Sequence, residues 1–141
     1  MGGARWDPTP IIAPMQGLHL TADLHDCQCE ALWLLDAQVL GAACMRAVEA
    51  AGLQGVAKLF HTFPSTAQGA GGVTATVLLA ESHLCIHTWP EQRGVTLDVY
   101  VCNFGGDHSA KAHALMECLV SLFQPTHSER NELQRGRIAA V

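Results

Sequence analysis

Charge is scarce in this chain of 141 residues, where only 15% are Asp, Glu, Lys or Arg, against about 25% in an average soluble domain. What charge there is leans acidic. Eight Lys and Arg against thirteen Asp and Glu give a formal net of −5, so there is no basic face for a phosphate backbone and nucleic acid is not an expected partner. Long apolar runs are missing too. The longest weakly polar run, Val73 to Ala80, falls far short of the roughly 18 to 20 apolar residues that cross a bilayer as a helix, so no membrane association is expected. The opening Met-Gly-Gly-Ala-Arg-Trp-Asp-Pro lacks a signal peptide's apolar core, and Trp6 stands where a myristoylation signal wants Ser or Thr. Cysteine is too sparse for a disulfide scaffold: the six at positions 27, 29, 44, 85, 102 and 118 fall below the roughly 8–10% such scaffolds carry, and are expected as reduced thiols in the cytoplasm.

Against these absences, hydrophobic residues reach 49%, which excludes a disordered chain and leaves surface to bury by association. The length fits one domain. The Pro-rich residues 1–16 read as a loose arm, with a single domain over 17–141. From Gly17, apolar Leu18, Leu20, Ala22 and Leu24 alternate with His19, Thr21, Asp23 and His25, the period of a strand buried on one face. Asp36 can cap a helix whose apolar positions, Val39, Leu40, Ala43, Cys44, Ala47, Val48 and Ala51, recur at the 3.6 period until Gly52. Gly55 to Phe63 reads as a second strand, followed by a Gly-rich loop over 67–72. Val73 to Thr88 is apolar and β-branched but too long for one ordinary strand, so a break is expected in its middle, with Pro90 ending it. Val95 to Cys102 alternates again, and Ser109 can cap a last helix that stops before Pro125, leaving a polar tail. The sum is an α+β two-layer sandwich: an antiparallel sheet with two helices on one face. The other face, carrying His19, Asp23, Asp98, Tyr100 and Cys102, is expected to pack sheet to sheet on a second copy.

Chemistry concentrates in Ala80-Glu81-Ser82-His83-Leu84-Cys85-Ile86-His87-Thr88-Trp89-Pro90-Glu91. By strand parity Leu84 and Ile86 point to the helices while His83, Cys85 and His87 share the open face with Cys102. Pairing of the two strands is expected to bring the His87 base and the Cys102 thiol together, the minimum equipment for proton transfer. Ser82 and His87 are five apart, so a straight strand separates their faces and a bend or bulge is expected between them, with strain near Glu81–Ser82.

Glu81-Ser82-His83, the following His87-Thr88-Trp89-Pro90-Glu91 and a Cys twenty residues after the Ser together resemble the short prokaryotic S-adenosylmethionine decarboxylases. Gly17-Leu18-His19-Leu20, Phe60-His61-Thr62-Phe63 and Gly72-Val73-Thr74 extend the resemblance over most of the chain. It implies a proenzyme that cuts itself between Glu81 and Ser82 into a β chain (1–81) and an α chain (82–141), turning Ser82 into a covalent pyruvoyl group. That group is the carbonyl electron sink that amino-acid decarboxylation needs and that no side chain offers, so neither metal nor pyridoxal phosphate is expected. By the same resemblance His87 is the base of the elimination step and Cys102 the acid that protonates the product. Thr74 assists processing in an oxyanion-type role, Phe63 stacks on adenine, and Glu91 binds substrate hydroxyls. The product is the aminopropyl donor for spermidine synthesis, and the site draws on both subunits of a homodimer.

The resemblance is incomplete around the pocket. Gln92-Arg93-Gly94-Val95-Thr96 replaces the expected residues after Pro-Glu, Asn103 follows Cys102 where Gly is usual, and Ala75 also replaces a Gly. These departures leave ornithine and arginine open as alternative substrates. Two further readings come from other classes: a zinc site of His83, Cys85 and His87 with His61 or Cys102 as a fourth ligand, and an uncleaved homologue acting only as a partner subunit. Singly, His61 and His83 read as structural and Trp89 as packing.

Overall fold

The computed structural model describes residues 15–137, so the arm expected over 1–16 lies almost wholly outside the described residues. Strand β1 (Gly17–Cys27) leads through the short helix α1 (Leu32–Leu35) into α2 (Ala37–Ala50). Strands β2 (Gly55–Thr62), β3 (Val73–Leu79), β4 (Ser82–Trp89) and β5 (Gly94–Cys102) follow, then α3 (Ser109–Phe123) and β6 (Pro125–Arg135). The six strands form one antiparallel sheet in the order β2-β3-β4-β5-β1-β6.

The long helices start and stop where local chemistry dictates. The Asp36 carboxylate accepts hydrogen bonds from the Gln38 and Val39 amides at 2.9 and 3.1 Å, satisfying two of the donors a helix start leaves unpaired. At the other end Gly52 takes φ +79°, which glycine adopts without strain. The cap expected at Ser109 is shifted: Ser109 is the first helical residue, and Asp107 accepts from its amide at 2.9 Å.

All helices lie on one face, α2 over β2 and β3 and α3 over β1 and β5. Leu84 and Ile86 of β4, Val99 of β5 and Leu40, Val48, Leu115 and Phe123 of the helices are fully buried there, each worth about 2 kcal/mol of transfer free energy. Two elements depart from expectation. A third helix, the single turn α1, precedes the Asp36 cap, and the polar tail forms the edge strand β6, paired with β1 from Gly17↔Arg135 to Cys27↔Pro125. Nearly every residue of β6 is exposed. Backbone pairing rather than side-chain burial makes it a strand, so no hydrophobic period marked it.

The helix-free face presents three cross-strand rows fixed by the register. Leu78, His83, Tyr100 and His19 form one, Thr76, Cys85, Asp98 and Thr21 the next, and Thr74, His87, Thr96 and Asp23 the third.

Candidate active site

The break expected within Val73 to Thr88 falls at Ala80-Glu81, the two-residue connection between paired Leu79 and Ser82. Such tight hairpins want positive φ at their central residues, usually from Gly, Asn or Asp. Neither Ala80 nor Glu81 takes one; instead Ser82 stands at φ +150°, a region that side-chain-bearing residues rarely enter and hold only when their surroundings compel it. The surroundings are tight. The buried Glu81 carboxylate accepts from the Gln54 amide at 3.2 and 3.3 Å, and Ala80 N–H donates to Gln54 O at 2.8 Å. The Glu81 carbonyl, which precedes Ser82, accepts from the Cys102 amide at 2.7 Å. One end of β4 thus holds a strained Ser82, a polarised carbonyl beside it and the half-buried Cys102.

The other end holds different parts. The Thr74 hydroxyl lies 3.0 Å from His87 Nδ1 across the β3–β4 pair. A cavity of about 550 Å³ opens beside them, lined among others by Phe63, Thr74, His87, Trp89 and Glu91. The Gly-rich loop closes over it: Phe63 N–H donates to Gly72 O at 2.9 Å, and a Cβ on Gly72 would meet Thr88 O at 2.1 Å, so only glycine lets the chain pass. Thr88 is buried and fully satisfied, donating to Leu34 O at 2.7 Å and accepting from Val73 N–H at 2.8 Å. It ties the cavity wall to α1. Trp89 is half exposed at the rim rather than packed in the core.

Three expectations are corrected by the register. His87 pairs with Thr96, whereas Cys102 lies six residues further along β5, about 20 Å away at the strand rise. Pairing of β4 with β5 does not bring this base and thiol together within one chain. Thr74 likewise lies at the His87 end and cannot reach the Glu81 carbonyl of its own chain. The zinc set His83, Cys85 and His87 also fails. Alternate residues of a strand stand about 7 Å apart, so His83 and His87, four residues apart in β4, are separated by about 13 Å and cannot share one ion.

His83 has other partners. Its Nε2 and that of His19 both approach Asp98 Oδ2, at 2.7 and 2.9 Å. Burial pushes the Asp98 carboxyl up, but these hydrogen bonds outweigh it and hold the group below the ordinary aspartate range. Burial raises the Cys85 thiol, against the pull of a hydrogen bond from the Thr76 hydroxyl. The grip of the Cys102 amide on Glu81 O was missed in the sequence, because a backbone donor has no residue-type signature. Only the Ser82↔Val101 register reveals it.

The sequence and its antiparallel α+β fold have counterparts among known proteins. The S-adenosylmethionine decarboxylase family profile matches residues 18–136. The S-adenosylmethionine decarboxylase proenzyme of Hydrogenobaculum sp. (strain Y04AAS1) is 34% identical over 128 residues, covering 90% of this chain and 87% of that protein. The proenzyme of Aquifex aeolicus (strain VF5) is 33% identical, covering 89% and 84%. The crystal structure of the adenosylmethionine decarboxylase from Aquifex aeolicus superposes with a TM-score of 0.76 at 31% identity, covering 90% of this chain and 96% of that one. The chain belongs to the S-adenosylmethionine decarboxylase family. The proenzymes of this family depend on a pyruvoyl group made by self-cleavage at a Ser. The ornithine, arginine and uncleaved-partner readings find no support among these relatives.

Proposed function

We propose that this chain cuts itself between Glu81 and Ser82 and then decarboxylates S-adenosyl-L-methionine, as a homodimer whose sites each combine the two ends of opposing sheets. The observation that carries the cleavage is the pair formed by strained Ser82 and the Glu81 carbonyl under the Cys102 amide. Attack by Ser82 Oγ on that carbonyl carbon converts the amide into an ester, and the amide donor stabilises the charge that builds on the oxygen. Loss of the Ser82 Cα proton, with the Cβ–Oγ bond breaking and Oγ leaving in the new α-carboxylate of Glu81, gives a dehydroalanine at position 82. Water then releases its nitrogen as ammonia, leaving pyruvoyl at the new terminus. Strain at Ser82 favours the first step, because cleavage relieves it. The donors present therefore fit the group the family requires.

The pyruvoyl carbonyl supplies the electron sink for loss of carbon dioxide. The chain's own residues do the rest. The Cys102 thiol returns a proton to the substrate carbon, while Phe63 stacks on the adenine and Glu91 takes the ribose hydroxyls in a cavity of about 550 Å³, within the range of small-molecule sites. His87, its Nδ1 beside the Thr74 hydroxyl, presents Nε2 as the base of the elimination.

The separation of about 20 Å along the strands supports the dimer. An isologous pairing of two helix-free faces, with a two-fold axis lying between the sheets and crossing over the middle of β4, sets the Ser82 end of one sheet against the His87 end of the other. Each dimer then has two complete sites. All six cysteines are free, which suits a reducing cytoplasm.

Denaturing mass spectrometry tests the cleavage. Purified protein is expected as fragments of 81 and 60 residues (141 − 81 = 60), the second bearing a borohydride-reducible carbonyl, with carbon dioxide released from S-adenosylmethionine. Ser82→Ala is expected as one intact, inactive chain. An unbroken wild-type polypeptide, or normal cleavage in Ser82→Ala, defeats the proposal.

A further inference from the structure

The middle of the helix-free face carries a cluster with no task in the chemistry above. His19 on β1, His83 on β4 and Asp98 on β5 stand on three neighbouring strands, and their ligand atoms lie within 4.8 Å of one another. Both imidazoles turn Nε2 to a single oxygen, Asp98 Oδ2, at 2.9 and 2.7 Å. The strand ladders fix their positions, with His19 and His83 both opposite Tyr100. In the single chain the side chains are 21%, 30% and 28% exposed for His19, His83 and Asp98, and in the dimer proposed above they lie in the seam between the two sheets.

From this geometry we infer a binding site for a divalent transition-metal ion of zinc's chemistry, held by His19 Nε2, His83 Nε2 and Asp98 Oδ2. Two imidazole nitrogens and one carboxylate oxygen are a favoured donor set for such ions. Two N–H groups aimed at one oxygen crowd like partial charges together, and a cation in place of both protons removes that repulsion. Metal bonds of about 2.1 Å in tetrahedral array place ligand atoms roughly 3.4 Å apart, so the cluster need only open slightly. The fourth position faces the opposing sheet of the proposed dimer.

Arg135 gives the inference a sign that a plain hydrogen-bond cluster lacks. Its Nη1 lies 3.4 Å from His19 Nδ1, and its guanidinium sits 4.9 Å from the Tyr100 ring centre. A His19 that ligates through Nε2 carries its proton on Nδ1, where it meets this donor instead of the acceptor that metal-bound histidines usually have. Arg135 therefore weakens the site by charge and by tautomer.

The test titrates Zn²⁺ into chelator-stripped, full-length protein by calorimetry, alongside the visible spectrum with Co²⁺. Wild type is expected to bind one ion per chain and to give the intense bands of low-coordinate cobalt. Asp98→Asn, which keeps the side chain's shape, and His83→Ala are each expected to lower affinity at least about a hundredfold, since even outer-shell partners are worth 10- to 100-fold. Arg135→Ala is expected to tighten binding, and Cys85→Ala, altering the thiol opposite Asp98, to leave it unchanged. Absence of stoichiometric binding in wild type overturns the site. So does unchanged affinity in both ligand variants, or binding that is lost in Cys85→Ala and survives in Asp98→Asn.

Discussion

The two ends of β4 are built on opposite plans. At Ser82 the backbone is strained, the neighbouring Glu81 is buried, and hydrogen bonds from Gln54 and Cys102 leave the turn little freedom. At His87 the side chain is exposed, its partner is a threonine hydroxyl, and a cavity stands open beside it. One end can make an electrophile and the other can receive a small molecule, but neither end can do both. The difference teaches that reactivity and recognition are separate constructions on this sheet, which the proposed dimer joins through a second sheet.

A mixed assembly puts the greatest stress on that comparison. Ser82→Ala and His87→Ala chains are each expected to be inactive alone. Co-expressed, they form hybrid dimers in which one site carries both lesions and the other carries neither. Random pairing makes half the dimers hybrid, so about a quarter of wild-type activity is expected to return, with cleavage confined to the His87→Ala chain. A site made within one chain predicts no recovery.

Cys102 separates the two functions at the strained end. Its amide holds the Glu81 carbonyl and its thiol is assigned the later proton transfer. Cys102→Ala keeps the amide, so the chain is expected to cleave while kcat falls 10²- to 10⁴-fold, the usual worth of a positioned acid. Intact kcat in a cleaved Cys102→Ala enzyme removes the thiol from the mechanism. At the open end, Thr74→Ala frees the His87 ring from its hydroxyl partner. Loss of one hydrogen bond of about 1 kcal/mol is expected to slow cleavage about fivefold, with Thr74→Ser restoring it. A cleavage time course by gel decides.

How far the sequence carried depended on the kind of signal each element leaves. The alternation from Leu18 to Leu24 and from Val95 to Cys102 marked β1 and β5 because one face of each is buried. The helix from the Asp36 cap was legible for the same reason, joined to a capping signal. Strain near Glu81–Ser82 was legible and Ser82 carries it, but the bend or bulge expected between Ser82 and His87 is not there: β4 pairs with β3 and β5 without a register shift, and the two residues simply lie on opposite faces. Strand β6 was not legible, because its residues are exposed and hold their place by backbone pairing. The separation of His87 from Cys102 was missed for a subtler reason. Parity assigns a face but not a register, and the offset between β4 and β5 is set by the short connection through Pro90–Gln92, whose length fixes Trp89 opposite Gly94. The same gap hid the meeting of His19 and His83 at Asp98, three residues far apart in sequence.

The smallest expected effect lies midway between the two ends, at Asp98. Its carboxyl is held below the ordinary aspartate range, as burial is outweighed by the hydrogen bonds from His83 and His19. Folding then lowers the pKa, so the unfolded chain binds more protons than the folded one as acid is added. The stability this gives is fully present above the unfolded value, near 3.9, and is lost as pH falls through the lower folded value. His19 and His83 face the carboxylate directly, and Arg135 and Tyr100 stand behind them; Asp98→Asn leaves all four residues in the chain and removes only the charge they surround. In metal-stripped protein the gap between wild type and Asp98→Asn in urea midpoint is therefore expected to narrow as pH falls below about 4. A gap that goes on widening below about pH 4 would mean that Asp98 is not the stabilising carboxylate of this face. The middle of the sheet would then owe its order to the strand ladders alone.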